Sequence, residues 1–395
     1  METPIQDIRR YVSPHLNAFG ITRIANVTGL DRLNVPVYMV CRPNSRSLAV
    51  FQGKGISHES AQISGLMEAI ECFHAEYAPL PVLREKFNRL QKQSQMNLAG
   101  LARIKGHVFH GQASMEWIPG RDLLGGMFKY VPFQIVHMDC TPRSVSETQF
   151  FVADTTGLAS GATMAQATHH GLCEAIERDA LALWSLTPQG RKAGRKIRLQ
   201  AVDDSFIRTF LEHCDRADVA AAAWDITSDL DVPTYLCKVM ARDYTGNGVR
   251  PAFGSGTHPS PVIALQKAVA EAAQSRITFI AGARDDQYAP HYAAQLSPDV
   301  FRRWYADIVE QPEVCDLREA PACANGKMED CQSWLLKQLQ QGGLHEVVQV
   351  DLTRAEYNIP VSKIIVPGLE GITYSGQRLI GQRGQAYMAR QQACV

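Results

Sequence analysis

Ser64-Gly65-Leu66-Met67-Glu68-Ala69-Ile70-Glu71 returns 106 residues later (68 to 174) as His170-Gly171-Leu172-Cys173-Glu174-Ala175-Ile176-Glu177. A fainter third copy, Val269-Ala270-Glu271-Ala272-Ala273-Gln274, follows 97 residues on (174 to 271) and replaces the second acid by its neutral isostere. Ser57, Thr163 and Ser260 each stand eleven residues before the first acid of their copy, and all three are good N-cap residues. Thr163 with Gln166 fits a capping box, and Ser260-Pro261 puts proline at the first helical position, where its missing N–H does no harm. The phasing predicts three helices that each carry Glu-x-x-Glu or Glu-x-x-Gln at i, i+3 on one face. Leu66, Ile70 and Phe73, then Leu172 and Ile176, hold the opposite face against a core.

An acid in the first turn of a helix is explained by the helix dipole, but these lie about three turns in, where that help has faded. If the helices converge, Glu68, Glu71, Glu174, Glu177 and Glu271 crowd one site, and like charges repel unless neutralised. Hard divalent cations such as Mg2+ take oxygen ligands and commonly join carboxylates to substrate phosphates. Three separate amphipathic helices with solvated glutamates are the plainer alternative, and a phased triple repeat argues against it.

The 395 residues are 45% hydrophobic, enough for a substantial core. Forty basic and forty acidic side chains leave no net charge, so neither nucleic acid nor an anionic membrane is a favoured partner. No apolar run approaches the ~20 residues that span a bilayer, and the N-terminus lacks a signal peptide's pattern; the chain reads as cytoplasmic. The ten cysteines form no Cys-x-x-Cys, which removes the usual zinc spacing. Cys315, Cys323 and Cys331 are evenly spaced but lack a histidine at ligand spacing.

Val35–Val40 and Leu48–Phe51, separated by Arg42-Pro43-Asn44-Ser45, predict a hairpin whose first strand is an edge or begins after Pro36. Gln52-Gly53-Lys54-Gly55 is no Walker motif, yet its glycines and Lys54 before a helix can approach an anion. Residues 84–106 read as a surface helix with loops, and strands are expected near Met127–His137 and Gln149–Ala153. Thr155–Gly161 reads as a second small-residue turn before a helix. A helix near Ser205–His213, strands at 219–224 and Thr234–Met240, and a third glycine-rich turn at Ala252–Gly256 follow. Residues 281–345 read as partly helical, and Val347–Leu352 and Val361–Val366 as strands before a basic tail with Arg378 and Arg383. Arg178-Asp179 places a fixed cation beside the second acid pair, suited to phosphate or carboxylate. Glu71-Cys72-Phe73-His74 has the Glu-x-x-His spacing of di-iron helices, but Ala180 and Gln274 break the pattern in the other copies.

Thr28-Gly29-Leu30-Asp31-Arg32, Gln52-Gly53-Lys54-Gly55, the three acid-bearing copies with Arg178-Asp179-Ala180 and Ser275-Arg276, Gly157–Gly161 and Pro367-Gly368-Leu369-Glu370 occur in fixed order between about residues 20 and 371. In these stretches the chain resembles the YcaO family, proteins known for ATP-dependent activation of peptide backbone amides. The resemblance implies an α+β fold of mixed sheets with three repeated acid-bearing helices converging on one nucleotide site. It implies one YcaO-like domain over 1–395, with an ATP-binding core at about 20–285 and a C-terminal subdomain at about 286–395. It further implies Mg2+ on Glu68, Glu71, Glu174 and Glu177, and ATP near Lys54, Ser64, Arg178, Gln274 and Arg276. Arg178 and Glu271 are the candidate catalytic groups, and the surroundings of Arg23 a candidate adenine site.

The implied reaction adds a nucleophile to a backbone carbonyl, whose oxygen takes the phosphoryl group of ATP and leaves as phosphate. A neighbouring Cys, Ser or Thr gives an azoline, and external sulfide gives a thioamide. Azoline-forming members often end in a Pro-x-Pro-x-Pro tail; this chain ends Gln391-Gln392-Ala393-Cys394-Val395, and no separate peptide-recognition domain is expected before residue 20. It looks more like the stand-alone members that work with a TfuA-like partner and a sulfide donor on a peptide or protein substrate. A cyclodehydratase and a non-catalytic activating scaffold are the alternatives, and a homodimer is left open.

Overall fold

The computed structural model describes residues 5–78, 83–141, 149–243, 250–287, 297–323, 326–372 and 378–393. The strands are β1 Arg23–Asn26, β2 Val37–Cys41, β3 Val50–Lys54, β4 Leu83–Lys86, β5 Ser114–Asp122, β6 Phe128–Pro132, β7 Leu158–Ser160, β8 Val219–Asp225, β9 Thr234–Ala241, β10 Ala252–Thr257, β11 Val348–Asp351 and β12 Val361–Ile365. The first, second and third acid-bearing helices are His58–Glu76, Met164–Leu186 and Pro261–Ala281. Each begins directly after its expected cap. Ser57 and Ser60 exchange hydrogen bonds through their hydroxyls, and Thr163 Oγ1 accepts from Gln166 N. Ser260 makes no side-chain cap bond, and Pro261 opens its helix.

The chain forms two compact units. The first comprises Met1–Ala69, Thr187–Thr227 and Asp231–Ala324. It holds two antiparallel sheets, β1-β2-β3 and β10-β9-β8. The hairpin read from the sequence is β2–β3, and β2 starts at Val37, just past the proline that cannot donate to a ladder. β2 is the centre of its sheet because β1, too short and polar to show a pattern, pairs with its other side. Helix Ser205–Arg216, capped by Asp204, packs on β8. The third acid helix lies along β9 and β10, burying Ala264, Leu265, Ala268, Ala272 and Ala273 with Cys237 and Val239.

Two glycine-rich stretches expected as turns are strands instead. Gln52–Lys54 ends β3, and Ala252–Gly256 lies within β10. Their glycines are needed for packing: a Cβ on Gly53 would stand 2.0 Å from Gly65 N, and one on Gly254 would stand 2.1 Å from Ala272 N. Glycine in a strand marks such close approach of another backbone. The helix residue three before the first acid, Gly65 or Ala268, is small for the same reason, facing Gly53 and Gly256 respectively.

The second unit comprises Ile70–Leu186, Ser228–Leu230 and Asn325–Val395. Its sheet runs β4-β5-β11-β12-β7, with β6 also on β5, and every pairing is antiparallel. The second acid helix packs on β12 and β7. Gly171, again three before the acid, meets Gly157, whose carbonyl would lie 2.8 Å from an added Cβ. This helix is buried on more than its core face: Thr168, His169, Glu177 and Asp179 are buried along with Leu172 and Ile176.

The expected surface helix at 84–106 is not there. β4 and three short 3-10 turns take its place, because Leu90, Met96 and Leu98 are buried and pin the segment down. Gln149–Ala153 contributes only a bridge from Phe151 to Arg103. The Met127–His137 strand stops at Pro132 and continues as a 3-10 turn, while Thr155–Gly161 contains strand β7. The strands expected near 347–352 and 361–366 are β11 and β12. Residues 281–345 include helices Pro298–Tyr305 and Met328–Gln341. Positions 1–4, 288–296, 324–325 and the terminal Cys394-Val395 lie outside the described residues.

Candidate functional site

In the first unit, the end of β3 brings the first and third copies together. Ser64 Oγ accepts from the backbone N–H of Lys54 at 3.4 Å, and Lys54 Nζ donates to Glu271 Oε2 at 2.6 Å. Gln274 Nε2 donates to the carbonyl of Gln52 at 2.6 Å. Lys54, read as an anion contact, is therefore held against an acid of another helix, with both side chains partly exposed (27% and 21%). Arg276 pairs with Asp31 through Nε at 2.9 Å, and its Nη1 is buried without an acceptor among the described residues. Asp31 thus joins the site through the Thr-Gly-Leu-Asp-Arg stretch. Glu68 also belongs to this unit; Arg284, held charged chiefly by its bond to Asp286, also feels Glu68.

In the second unit, β7 brings the first and second copies together. Ser160 donates to Glu71 Oε1 from both its backbone N–H, at 2.8 Å, and its hydroxyl, at 2.6 Å. Gly157, at the other end of that strand, donates its N–H to Glu174 Oε2 at 3.2 Å. Arg178 Nη2 donates to Glu174 Oε1 at 3.3 Å, and its Nη1 lies 4.0 Å from Glu177. Glu177 is 5% exposed, which removes the reading of a solvated glutamate face at that position. Burial pushes the Glu174 carboxyl above its ordinary value, with Arg178 and Lys363 pulling it back and Glu177 adding to the rise. The same burial pulls the Lys363 ammonium down, against Asp154 and Glu174.

Lys363 and its surroundings were not singled out from the sequence. Only 3% exposed in the middle of β12, Lys363 donates to the carbonyl of Asp154. A lysine inside Val361-Ser362-Lys363-Ile364-Ile365-Val366 is a readable signal, because a charge in an apolar strand has to be paired. Asp179, fully buried, accepts from Arg383 Nε and Nη2 at 2.9 and 3.0 Å and from the N–H of Glu370 at 2.9 Å. Glu370 in turn accepts from Gly381 and Gly384 at the start of helix Gln382–Ala393. The Pro-Gly-Leu-Glu stretch, the arginine tail and the second acid helix are tied into one network.

Mg2+ fits the donor set. It is held through one or two carboxylates with water and phosphate oxygens, rather than by an all-protein cage. The acids supply oxygens in i, i+3 pairs, and a buried carboxylate whose acidity is weakened by desolvation is relieved by a nearby divalent charge. Among the described residues no three His, Cys, Asp or Glu side chains are grouped so as to hold a metal. The di-iron alternative finds no support: Glu71 is engaged by Ser160, while His74 Nδ1 meets the carbonyl of Ile70 at 2.8 Å. Cys315, of the evenly spaced cysteines, bonds through its thiol to the carbonyl of Gly194. No described helix is long and apolar enough to cross a membrane.

A family model described as YcaO cyclodehydratase, ATP- and Mg2+-binding, matches residues 52–370. A protein in the tfuA 3' region of Rhizobium leguminosarum bv. trifolii is 33% identical over 388 residues, 96% of this chain and 91% of the relative. A protein of Methanothermobacter thermautotrophicus is 31% identical over 375 residues, covering 93% and 94%. Among solved structures, a heterocyclase in complex with substrate and cofactor is similar at TM-score 0.77 and 21% identity, over 93% of this chain and 52% of that one. This chain therefore spans about half the heterocyclase's length. YcaO from Methanopyrus kandleri, bound with AMPPCP and Mg2+, is similar at TM-score 0.74 and 19% identity, over 96% and 95%. These two likenesses establish the fold. The chain belongs to the YcaO family, and ATP and Mg2+ are the cofactors that go with that membership.

Proposed function

We propose that the protein modifies a peptide backbone amide by ATP-dependent phosphorylation of its carbonyl oxygen, forming a thioamide with sulfide and a TfuA-like partner. In balance, sulfide adds to the amide carbon, the carbonyl oxygen leaves as phosphate, and ATP becomes ADP. The observation that carries the ATP-dependent part is that acids of all three copies are held by strand-end residues, Glu271 by Lys54 at the end of β3 and Glu71 and Glu174 by Ser160 and Gly157 at the two ends of β7, with Arg178 beside the second acid pair. When bound, Mg-ATP supplies the phosphoryl group and the positive charge that lets acids hold a triphosphate.

Glu68, Glu71, Glu174 and Glu177 act as the metal-binding oxygens. Arg178 is the fixed cation for charge developing on phosphoryl oxygens. Ser64, Lys54, Gln274 and Arg276 shape the nucleotide side, with Lys54 exchanging Glu271 for phosphate oxygen as the catalytic state assembles. Thioamidation, rather than ring formation, is supported by the relative in the tfuA 3' region. An azoline-forming cyclodehydratase is the second reading, favoured by the family's description. Mass spectrometry of a target peptide incubated with Mg-ATP, sulfide and partner separates the readings. Exchange of oxygen for sulfur raises the mass; loss of water lowers it; an unchanged peptide with no phosphate released rejects both.

A further inference from the structure

Asp179 follows Arg178 on the second acid helix but lies on a different side of it. At 3.6 residues per turn it stands about 100° from Arg178, about 140° from Glu174 and about 160° from Glu177 around the helix axis. The acids share one side, and Asp179 occupies the back. There its carboxylate is fully buried in a fork from Arg383, whose Nε donates to Oδ1 at 2.9 Å and whose Nη2 donates to Oδ2 at 3.0 Å. The N–H of Glu370 donates to the same Oδ1 at 2.9 Å. Glu370 then seats the start of helix Gln382–Ala393, accepting from Gly381 N at 3.2 Å and Gly384 N at 2.8 Å. A Cβ on Gly381 would stand 2.6 Å from Glu370 Oε1, so the missing side chain lets the helix start come that close. Arg383 Nη1 also reaches Asp229 at 3.3 Å, and the more exposed Arg390 lies 3.6 Å from the same acid. All of these residues belong to the second unit.

We propose that Asp179 and Arg383 are positioning residues: a brace through which helix Gln382–Ala393 sets the rotation of the second acid helix and so aims Glu174, Glu177 and Arg178 at Mg-nucleotide. The brace rests on the metal assignment of those acids made above. A buried ion pair is a poor source of stability, because desolvation offsets its Coulomb attraction and apolar packing of the same volume serves as well. What a guanidinium fork on a carboxylate adds is direction. Apolar burial is non-directional, so Leu172 and Ile176 hold the helix down on its core face while the fork fixes its turn about the axis. A side chain about 5–6 Å from the axis moves about 1 Å when the helix turns by roughly 10°. A misplacement of ~1 Å can cost about 100-fold at a reacting centre.

Isothermal titration calorimetry of AMPPCP into the full chain, at saturating and at limiting Mg2+, tests the brace. Asp179→Asn combined with Arg383→Leu removes both charges and leaves an acceptor for the Glu370 N–H, so its Tm should stay near that of wild type. Its Kd at limiting Mg2+ should rise about ten-fold, the low end of what losing a supporting contact around a metal costs, with the number of sites unchanged. Arg383→Lys keeps the charge but not the fork, and its Kd should fall between wild type and the double variant. Arg390→Leu loosens the outer end of the same helix without touching Asp179 and should bind as wild type does. A purely structural role would give fewer competent sites at an unchanged Kd. That result, a wild-type Kd in the double variant, or an equal rise in Arg390→Leu overturns the assignment. If the double variant does not fold, Arg383→Lys decides alone, and a wild-type Kd there overturns it. Wild-type binding that does not need Mg2+ overturns the metal reading itself; Mg2+-dependent binding that every variant keeps overturns only the brace.

Discussion

Glu174→Gln should make the ligand-free protein more stable while weakening its hold on Mg-nucleotide. In the second acid helix, Glu174 keeps 26% of its side-chain exposure and accepts from Gly157 N and Arg178. Glutamine retains an oxygen for Gly157 and gives up the i, i+4 ion pair, a loss of about 0.3–0.5 kcal/mol. It also removes the desolvation of a carboxylate that burial has already pushed above its ordinary 4.5, a gain of roughly 1–2 kcal/mol. The net is a stabilisation of about 1 kcal/mol, which raises Tm by roughly 2–4 °C in a unit of 150–250 residues. The pH dependence has a definite sign. An acid with a raised folded-state pKa stabilises below its unfolded value and loses that contribution as pH rises through the folded value. The advantage of the variant should therefore be small near pH 4.5, grow above it and then level off. Differential scanning calorimetry in EDTA across that range, with the same scans in Mg2+ and AMPPCP, measures both halves. A variant less stable than wild type in EDTA at neutral pH, or one equally stabilised by Mg-AMPPCP, would refute the reasoning.

Gly53→Ala should cost about 3 kcal/mol in urea unfolding, because its Cβ runs into the backbone of the first acid helix at both Ala61 O and Gly65 N; a variant within 1 kcal/mol of wild type contradicts the close strand–helix packing. Arg383→Leu strips a fully buried Asp179 of its guanidinium and should cost about 3–5 kcal/mol, whereas Arg318→Leu, at a side chain 83% exposed beside Asp316, should cost a small fraction of that in the same titration. A double-mutant cycle on Lys54→Met and Glu271→Gln should give a small coupling in ligand-free stability, at most about 1 kcal/mol for a partly exposed pair, but lose nucleotide affinity in each single variant. Full affinity in Lys54→Met removes that residue from the site.

The acid-bearing helices were legible because three signals agreed: cap, spacing and apolar face recurred in phase, and each helix starts where Ser57, Thr163 and Ser260 say it should. The glycine stretches were legible as special but not as strands, since a sequence shows that a side chain is missing without showing what backbone occupies its place. β5 was missed because Pro119, Gly120, Arg121 and Asp122 hide a strand that is half-buried by its neighbours on both edges. Of the candidate site, the acids and Arg178 were readable from the repeat. The partners of Asp31, Ser160 and Asp154 were not, because each lies more than 80 positions away in the chain. Lys363 is the residue whose context could have announced it.

The account stands on acids of the repeated helices gripping a nucleotide through magnesium, and isothermal titration calorimetry with AMPPCP addresses this most directly. The expected result is binding to the wild-type chain in Mg2+, none in EDTA, and a loss of at least about ten-fold when Glu71→Gln and Glu174→Gln are combined. Equal affinity with and without Mg2+, or in the doubly substituted chain, would contradict it.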